Sequence, residues 1–252
     1  MKALALHGFL GDHHDWDAFR DSLPTGFEIM APDLPGHGPR PSAVPDDFGG
    51  WTAWVHDLLS AQDEPVHLLG YSMGGRLALA AALADPRYVA SLTLLSASPG
   101  LATTEERVAR LESDTQRAQT LEQHGLEAFL HHWYQLPLFA PLVESRGLHT
   151  LVERRRHGHA SSLAQALRTG STGTMPDCRS LLPDLQIPVL TLAGEQDSKY
   201  LQLEQDIAAA ALHGFFAVLP GAGHALLLEA PHACARRWSA FIKQLHPERS
   251  RP

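Results

Sequence analysis

Gly70-Tyr71-Ser72-Met73-Gly74 decides how this chain is read. Before it runs Pro65-Val66-His67-Leu68-Leu69, short and apolar in the manner of a buried strand. After it runs Gly75-Arg76-Leu77-Ala78-Leu79-Ala80-Ala81-Ala82-Leu83-Ala84, dense in helix formers. A serine forced onto a sharp strand-to-helix turn carries its hydroxyl above the edge of the sheet. The flanking glycines let backbone close in where a Cβ would collide. The plainer reading of Ser72 is an ordinary helix N-cap. Partners later in the chain decide between the two.

The rest of the chain alternates in the same way. Short apolar runs at 3–6, 27–31, 66–69, 92–95, 189–193 and 215–219 read as strands. Helical patterns fall at 16–23, 51–61, 73–84, 203–212 and 231–245. Strands separated by helices pair in parallel through right-handed crossovers. The alternation stops between about residues 98 and 185, where helical patterns at 105–120, 121–133, 143–155 and 162–167 have no strands between them. The expected organisation is an α/β core of residues 1–97 and 186–252 with a helical cap of residues 98–185. Such a cap covers the carboxyl ends of the strands, where sites in α/β sheets lie. Residues 247–252 read as a frayed tail.

Bulk properties narrow the function. With 252 residues, 44% of them hydrophobic, the chain has room for one α/β domain with an insertion or for two small domains. A formal charge of −8 argues against nucleic-acid and anionic-membrane partners but leaves room for a locally positive pocket. Cys178 and Cys234 are far apart and form no C-x-x-C, so neither a disulfide framework nor a zinc site is suggested. The apolar run at the start is too short for a signal peptide, and no later segment approaches a membrane span. A soluble cytoplasmic protein, a monomer or small homo-oligomer, is expected.

A serine hydroxyl reacts only when an imidazole accepts its proton, and the imidazole needs a carboxylate to fix its tautomer. Asp197 in Gly194-Glu195-Gln196-Asp197-Ser198-Lys199 and His224 in Gly221-Ala222-Gly223-His224-Ala225 each follow a strand, on the same sheet edge as Ser72. Three alternatives stand beside them: Asp197 as a helix cap, Glu195 as the acid, and His224 as a surface-loop histidine. Two backbone amides must face the developing negative charge. Met73 at the helix start and Phe9 in His7-Gly8-Phe9-Leu10-Gly11-Asp12 are the candidates, with His7 as a buttress of that loop.

Together, His7-Gly8-Phe9, Asp33-Leu34-Pro35-Gly36-His37-Gly38, Gly70-Tyr71-Ser72-Met73-Gly74-Gly75 and the late Gly223-His224 resemble the α/β-hydrolase superfamily over essentially the whole chain. The implied fold is a mostly parallel sheet flanked by helices with an inserted helical cap. A narrower set is similar to the 2-succinyl-6-hydroxy-2,4-cyclohexadiene-1-carboxylate synthase family of menaquinone biosynthesis. It comprises His7-Gly8-Phe9-Leu10-Gly11-Asp12, Gly74-Gly75-Arg76, Ser98-Pro99-Gly100-Leu101, Trp133-Tyr134-Gln135-Leu136-Pro137-Leu138-Phe139 and Gly194-Glu195-Gln196-Asp197-Ser198-Lys199-Tyr200. The resemblance implies a lyase. It would expel pyruvate from 2-succinyl-5-enolpyruvyl-6-hydroxy-3-cyclohexene-1-carboxylate by proton abstraction and need no cofactor. Ser72, Asp197 and His224 would be catalytic, with Phe9 and Met73 as the oxyanion hole.

A substrate with several carboxylates calls for cations, and arginine suits them better than lysine. Arg76 lies about one helical turn after Ser72, and Lys199 lies two residues beyond Asp197. Arg107 and Arg110 lie among Glu105, Glu106 and Glu112, so ion pairs along a helix face account for at least one; Arg110 is the one that matches the family. Arg154, Arg155 and Arg156 are neighbours on a helix facing different ways, so one of them is expected to point inward, and the family resemblance implies Arg155. Tyr71, Trp133 and Tyr134 are expected to line the pocket, against plain packing, and Gln135 is a further possible donor. Pairs such as His13-His14 and His131-His132 lack metal-ligand spacing, so no metal is expected. The rivals are a carboxylesterase or a carbon–carbon bond hydrolase with Ser72 as nucleophile and, from another class, a catalytically dead binding module.

Overall fold

The computed structural model describes residues 1–39, 41–143 and 148–247. Strands β1 (Lys2–Leu6), β2 (Glu28–Met30), β3 (Val66–Tyr71), β4 (Val89–Leu95), β5 (Val189–Gly194) and β6 (Gly214–Leu219) form one sheet, in the order β2-β1-β3-β4-β5-β6. Every pairing is parallel. The helices, in chain order, are α1 (Asp17–Asp21), α2 (Phe48–Ser60), α3 (Met73–Ala84), α4 (Thr104–Trp133), α5 (Ala140–Val143), α6 (Leu148–Arg155), α7 (Ala160–Thr169), α8 (Ser198–Ala210), α9 (Leu226–Glu229) and α10 (Pro231–Leu245).

Residues of β3 and β5 are buried at every position, which accounts for their unbroken apolar runs. β1 alternates: Leu4 and Leu6 join one core layer, Ala3 and Ala5 the other. The first layer holds Trp51 and Val55 of α2, Leu77 and Ala78 of α3 and Ile207 of α8. The second holds Phe19 of α1 and Trp238, Phe241 and Ile242 of α10. Trp51 and Trp238 are fully buried, one on each side, and truncating either to alanine costs about 3–5 kcal/mol.

Because β2 and β3 flank β1 on opposite sides, the loops leaving β1 and β3 diverge and open a crevice at the carboxyl ends of the strands. Between β4 and β5 the chain forms α4 to α7, which carry their own apolar cluster. Leu121, Phe129, Leu130, Leu151 and Leu163 pack there with Leu10 and Ala225 from the loops below.

Local chemistry shifts several expected boundaries. The helices expected at 105–120 and 121–133 are two helices, named together α4, that meet at a kink at Gly125 and not after residue 120; the φ of 78° and ψ of 170° there are not helical. A capping box starts α4: Thr103 Oγ1 accepts from the Glu106 amide while a Glu106 carboxylate oxygen accepts from the Thr103 amide. Where a helix was expected at 203–212, α8 begins at Ser198, because the Asp197 carboxylate caps it. The pattern at 16–23 resolves into a 3₁₀ turn, His13–Trp16, and the short α1. Of the helix expected at 143–155, residues 148–155 are helical and residues 144–147 lie outside the described residues; so do residues 248–252 of the expected tail. Among the described residues no helix is long and apolar enough to cross a membrane.

Candidate active site

Ser72 stands between β3 and α3 with φ 51° and ψ −108°, a conformation that a non-glycine residue keeps only when its surroundings force it. The two glycines supply that force by allowing contact. A Cβ on Gly70 would stand 2.6 Å from Gly75 Cα, and one on Gly74 would strike the carbonyl oxygens of Leu6 and His7. The turn is therefore pressed against the loop that follows β1. The Gly74 amide donates to His7 O at 3.1 Å across that contact.

From this turn a relay runs inward. Ser72 Oγ lies 3.0 Å from His224 Nε2, and His224 Nδ1 lies 2.7 Å from Asp197 Oδ2. With the carboxylate on Nδ1, that nitrogen carries the ring proton and Nε2 is free to accept from Ser72. Asp197 serves twice, since its Oδ1 accepts from the Tyr200 amide at 3.4 Å and so caps α8. One carboxylate thus meets both the α8 amide and the His224 ring. Glu195 turns away and accepts from the Gly221 amide at 2.9 Å. His224 is 2% exposed, not a surface histidine, and the Tyr200 ring lies 4.4 Å from it centroid to centroid. Glu229 ties down the backbone around it: its two carboxylate oxygens accept from the Gly223 and Ala225 amides.

Over Ser72 passes the loop after β1. A Cβ on Gly8 would stand 3.5 Å from Ser72 Cβ and 2.8 Å from the Tyr71 ring. Among the described residues the Phe9 amide, and the Met73 amide at the start of α3, donate to no other group. His7 pins the loop: its Nε2 accepts from the Leu34 amide at 2.9 Å and its Nδ1 donates to Gly8 O at 2.8 Å. Burial holds His7 neutral, its pKa lowered from 6.5 to about 4.

A cavity between this floor and α4 to α7 is lined by Phe9, Tyr71, Ser72, Met73, Arg76, Arg110, Trp133, Tyr134, Arg155, Lys199 and His224. The expected residues are brought together there, with Asp197 directly behind His224. Arg76 is 8% exposed and donates to Gly170 O at 2.7 Å, linking α3 to the end of α7. Burial, with Arg110 nearby, lowers its pKa from 12.5 to about 10, so it remains a cation at neutral pH. Arg155 donates to Tyr134 Oη and, at 2.7 Å, to Asp15 Oδ2. Arg154 grips the other oxygen of Asp15 from outside the cavity, and Arg156 is exposed beside Glu153. Lys199 stands exposed at the rim. Burial raises the pKa values of the Tyr71 and Tyr200 hydroxyls, which keeps both protonated.

Several placements differ from expectation. Gln135 is exposed and does not line the cavity. The partner of Arg110 is no glutamate but Asp114, one turn on, and Arg107 donates to Leu101 O. Trp133 both lines the cavity and packs, stacking on Phe129 at 5.7 Å. Sequence reasoning missed Asp15, Asp114, Arg117, Ser171, Tyr200 and Glu229. Tyr200, Asp114 and Arg117 carried a signal: Tyr200 stands within the quoted Gly194–Tyr200 stretch, and Arg110, Asp114 and Arg117 follow one another at helical spacing. Among the described residues no three His, Cys, Asp or Glu side chains are grouped to hold a metal ion.

The family model described as the alpha/beta hydrolase fold matches residues 4–231. A relative in Bacillus subtilis, a putative 2-succinyl-6-hydroxy-2,4-cyclohexadiene-1-carboxylate synthase, is 32% identical over 96% of this chain and 90% of its own length. The Escherichia coli O1:K1 protein of that name is 35% identical, covering 87% of this chain and 84% of its own. The solved structure of MenH from S. aureus superposes with a TM-score of 0.91 at 30% identity, covering 97% of this chain and 94% of that one. The chain belongs to the α/β-hydrolase fold family and, within it, to the family of 2-succinyl-6-hydroxy-2,4-cyclohexadiene-1-carboxylate synthases.

Proposed function

We propose that this protein is a carbon–oxygen lyase that eliminates pyruvate from 2-succinyl-5-enolpyruvyl-6-hydroxy-3-cyclohexene-1-carboxylate, leaving 2-succinyl-6-hydroxy-2,4-cyclohexadiene-1-carboxylate. The carrying observation is the juxtaposition of a serine–histidine–aspartate relay with a cationic cavity. Ser72 Oγ, 3.0 Å from His224 Nε2, shares its cavity with five cationic side chains and a single lining carboxylate, that of Asp114, among the described residues. In a chain of net charge −8 that concentration of positive charge supports a polycarboxylate ligand.

In this mechanism Ser72, with His224 as proton acceptor and Asp197 stabilising the imidazolium, takes the proton from the ring carbon beside the succinyl carbonyl. The electrons pass into that carbonyl, and the Phe9 and Met73 amides stabilise the enolate oxygen. As the carbonyl re-forms, the ring double bonds shift and the ring carbon–oxygen bond to the enolpyruvyl group breaks. The departing enolate takes a proton on its methylene carbon to become pyruvate. No covalent enzyme intermediate is needed. Arg76, Arg110, Arg155 and Lys199 bind carboxylates, and Tyr71, Trp133 and Tyr134 shape the space around the ring.

Incubation with the enolpyruvyl precursor is expected to release pyruvate stoichiometrically with the diene, read by a lactate dehydrogenase couple. Turnover of a short p-nitrophenyl ester much faster than pyruvate release would instead favour a carboxylesterase with Ser72 as nucleophile. We place the reaction in the cytoplasm, which suits two buried cysteines, Cys178 and Cys234, that form no disulfide.

A further inference from the structure

Asp114 is 1% exposed, yet its carboxylate meets only fixed donors. Arg110 Nε reaches Oδ2 at 2.7 Å, Ser171 Oγ reaches the same oxygen at 2.7 Å, and Arg117 Nη1 reaches Oδ1 at 2.9 Å. Spacing explains the arrangement. On α4, Arg110 lies four residues before Asp114 and Arg117 three residues after it, so all three share one face of the helix. Ser171 is held in turn, accepting from the Gly173 amide at 3.0 Å. The Arg117 guanidinium lies 5.7 Å over the Trp133 ring, which fixes its plane.

These contacts leave most of both guanidinium groups uncommitted. Arg110 spends its Nε on Asp114 and Arg117 spends one Nη1 hydrogen. The two side chains retain 29% and 34% exposure, and both line the cavity above Ser72. Arg155 on α6 is 5% exposed and already committed to Asp15 and Tyr134. Of the arginines that line the cavity, Arg110 and Arg117 are therefore the most exposed, and both keep free N–H groups. Two adjacent guanidinium groups would repel and wander without the anion between them. With it, their rotamer entropy and mutual repulsion are offset before a ligand arrives.

We propose that Arg117 is a further substrate-binding residue and that Asp114 is the positioning residue which presents Arg110 and Arg117 as one paired donor for a ligand carboxylate. The pair sets specificity for a polycarboxylate over a monocarboxylate. This rests on the anion-binding side of the proposed function and not on the elimination step.

The test combines steady-state kinetics on the enolpyruvyl precursor with calorimetric binding of tricarballylate, a simple tricarboxylate, to the whole protein. Arg117→Met is expected to raise both KM and the tricarballylate Kd about tenfold, the loss of one charge-assisted hydrogen bond, with kcat within about twofold. Arg117→Lys should recover part of the loss. Asp114→Asn should weaken binding at least as much, and adding Arg117→Met to it should change little, because both remove the same paired donor. Unchanged KM and Kd in Arg117→Met would overturn the proposal, as would additive effects in the double variant. If Asp114→Asn does not fold, the Arg117 variants decide alone. A wild-type protein that binds tricarballylate without releasing pyruvate defeats the proposed reaction, and the Kd series still decides this inference.

Discussion

The floor and the roof of the cavity are built on different principles. On the floor, Ser72, Asp197, His224 and the Phe9 and Met73 amides all stand on the turns and loops that follow strands, and backbone contacts fix them. On the roof, the arginines hang on long side chains and are fixed only by partners: Arg155 by Asp15 and Tyr134, Arg110 and Arg117 by Asp114. Arg76 belongs to both, since it leaves the floor helix α3 and fastens on Gly170 of the roof. Under the proposed function, a floor of this kind determines which bond is activated. Under the same proposal, a roof of this kind determines which molecule is held there.

That division predicts separable defects. His224→Ala removes the proton acceptor and should lower pyruvate release by about 10²–10⁴-fold, while tricarballylate still binds within about threefold of wild type. A parallel loss of binding would dissolve the distinction. Arg155→Ala should do the reverse, raising KM by about 10–100-fold with a much smaller change in kcat. A fall in kcat at constant KM would move Arg155 to the floor. On stability the two regions differ again. His7 beneath the floor loop is lowered from 6.5 to about 4 by burial, so between those pH values the unfolded chain binds a proton that the folded one refuses. Stability should therefore fall as pH drops from 6.5 towards 4, by about 3 kcal/mol from this group. Denaturant midpoints across that window should show the slope in wild type and less of it in His7→Asn. The smallest effect belongs to Arg156→Ala. Its exposed pair with Glu153 should contribute less than about 0.5 kcal/mol, and KM should not move.

The same contrast governs what could be read from the chain. Floor residues announce themselves locally, because a turn as tight as Gly70 to Gly74 needs glycine at defined places and its partners must follow strands. Even so, sequence alone leaves Asp197 open between cap and acid; in the fold, one oxygen meets the Tyr200 amide and the other the His224 ring. Roof residues depend on tertiary approach. Asp15, which holds Arg155, lies 140 residues away in sequence, and no local pattern links them. The inward choice of Arg155 came from family resemblance, not from helical phase. Asp114 lies at helical spacing from Arg110, but Glu105, Glu106 and Glu112 crowd the same stretch and offer competing partners. The break expected after residue 120 falls at Gly125, where a positive φ and not an apolar gap bends α4.

Pyruvate release by wild type and by Ser72→Ala, at equal occupancy with the enolpyruvyl precursor, tests the central claim most directly. Wild type should release pyruvate and the diene in equal amounts, and Ser72→Ala should bind the precursor with near-normal affinity yet release pyruvate about 10²–10⁴-fold more slowly. Undiminished release without the Ser72 hydroxyl would contradict the account.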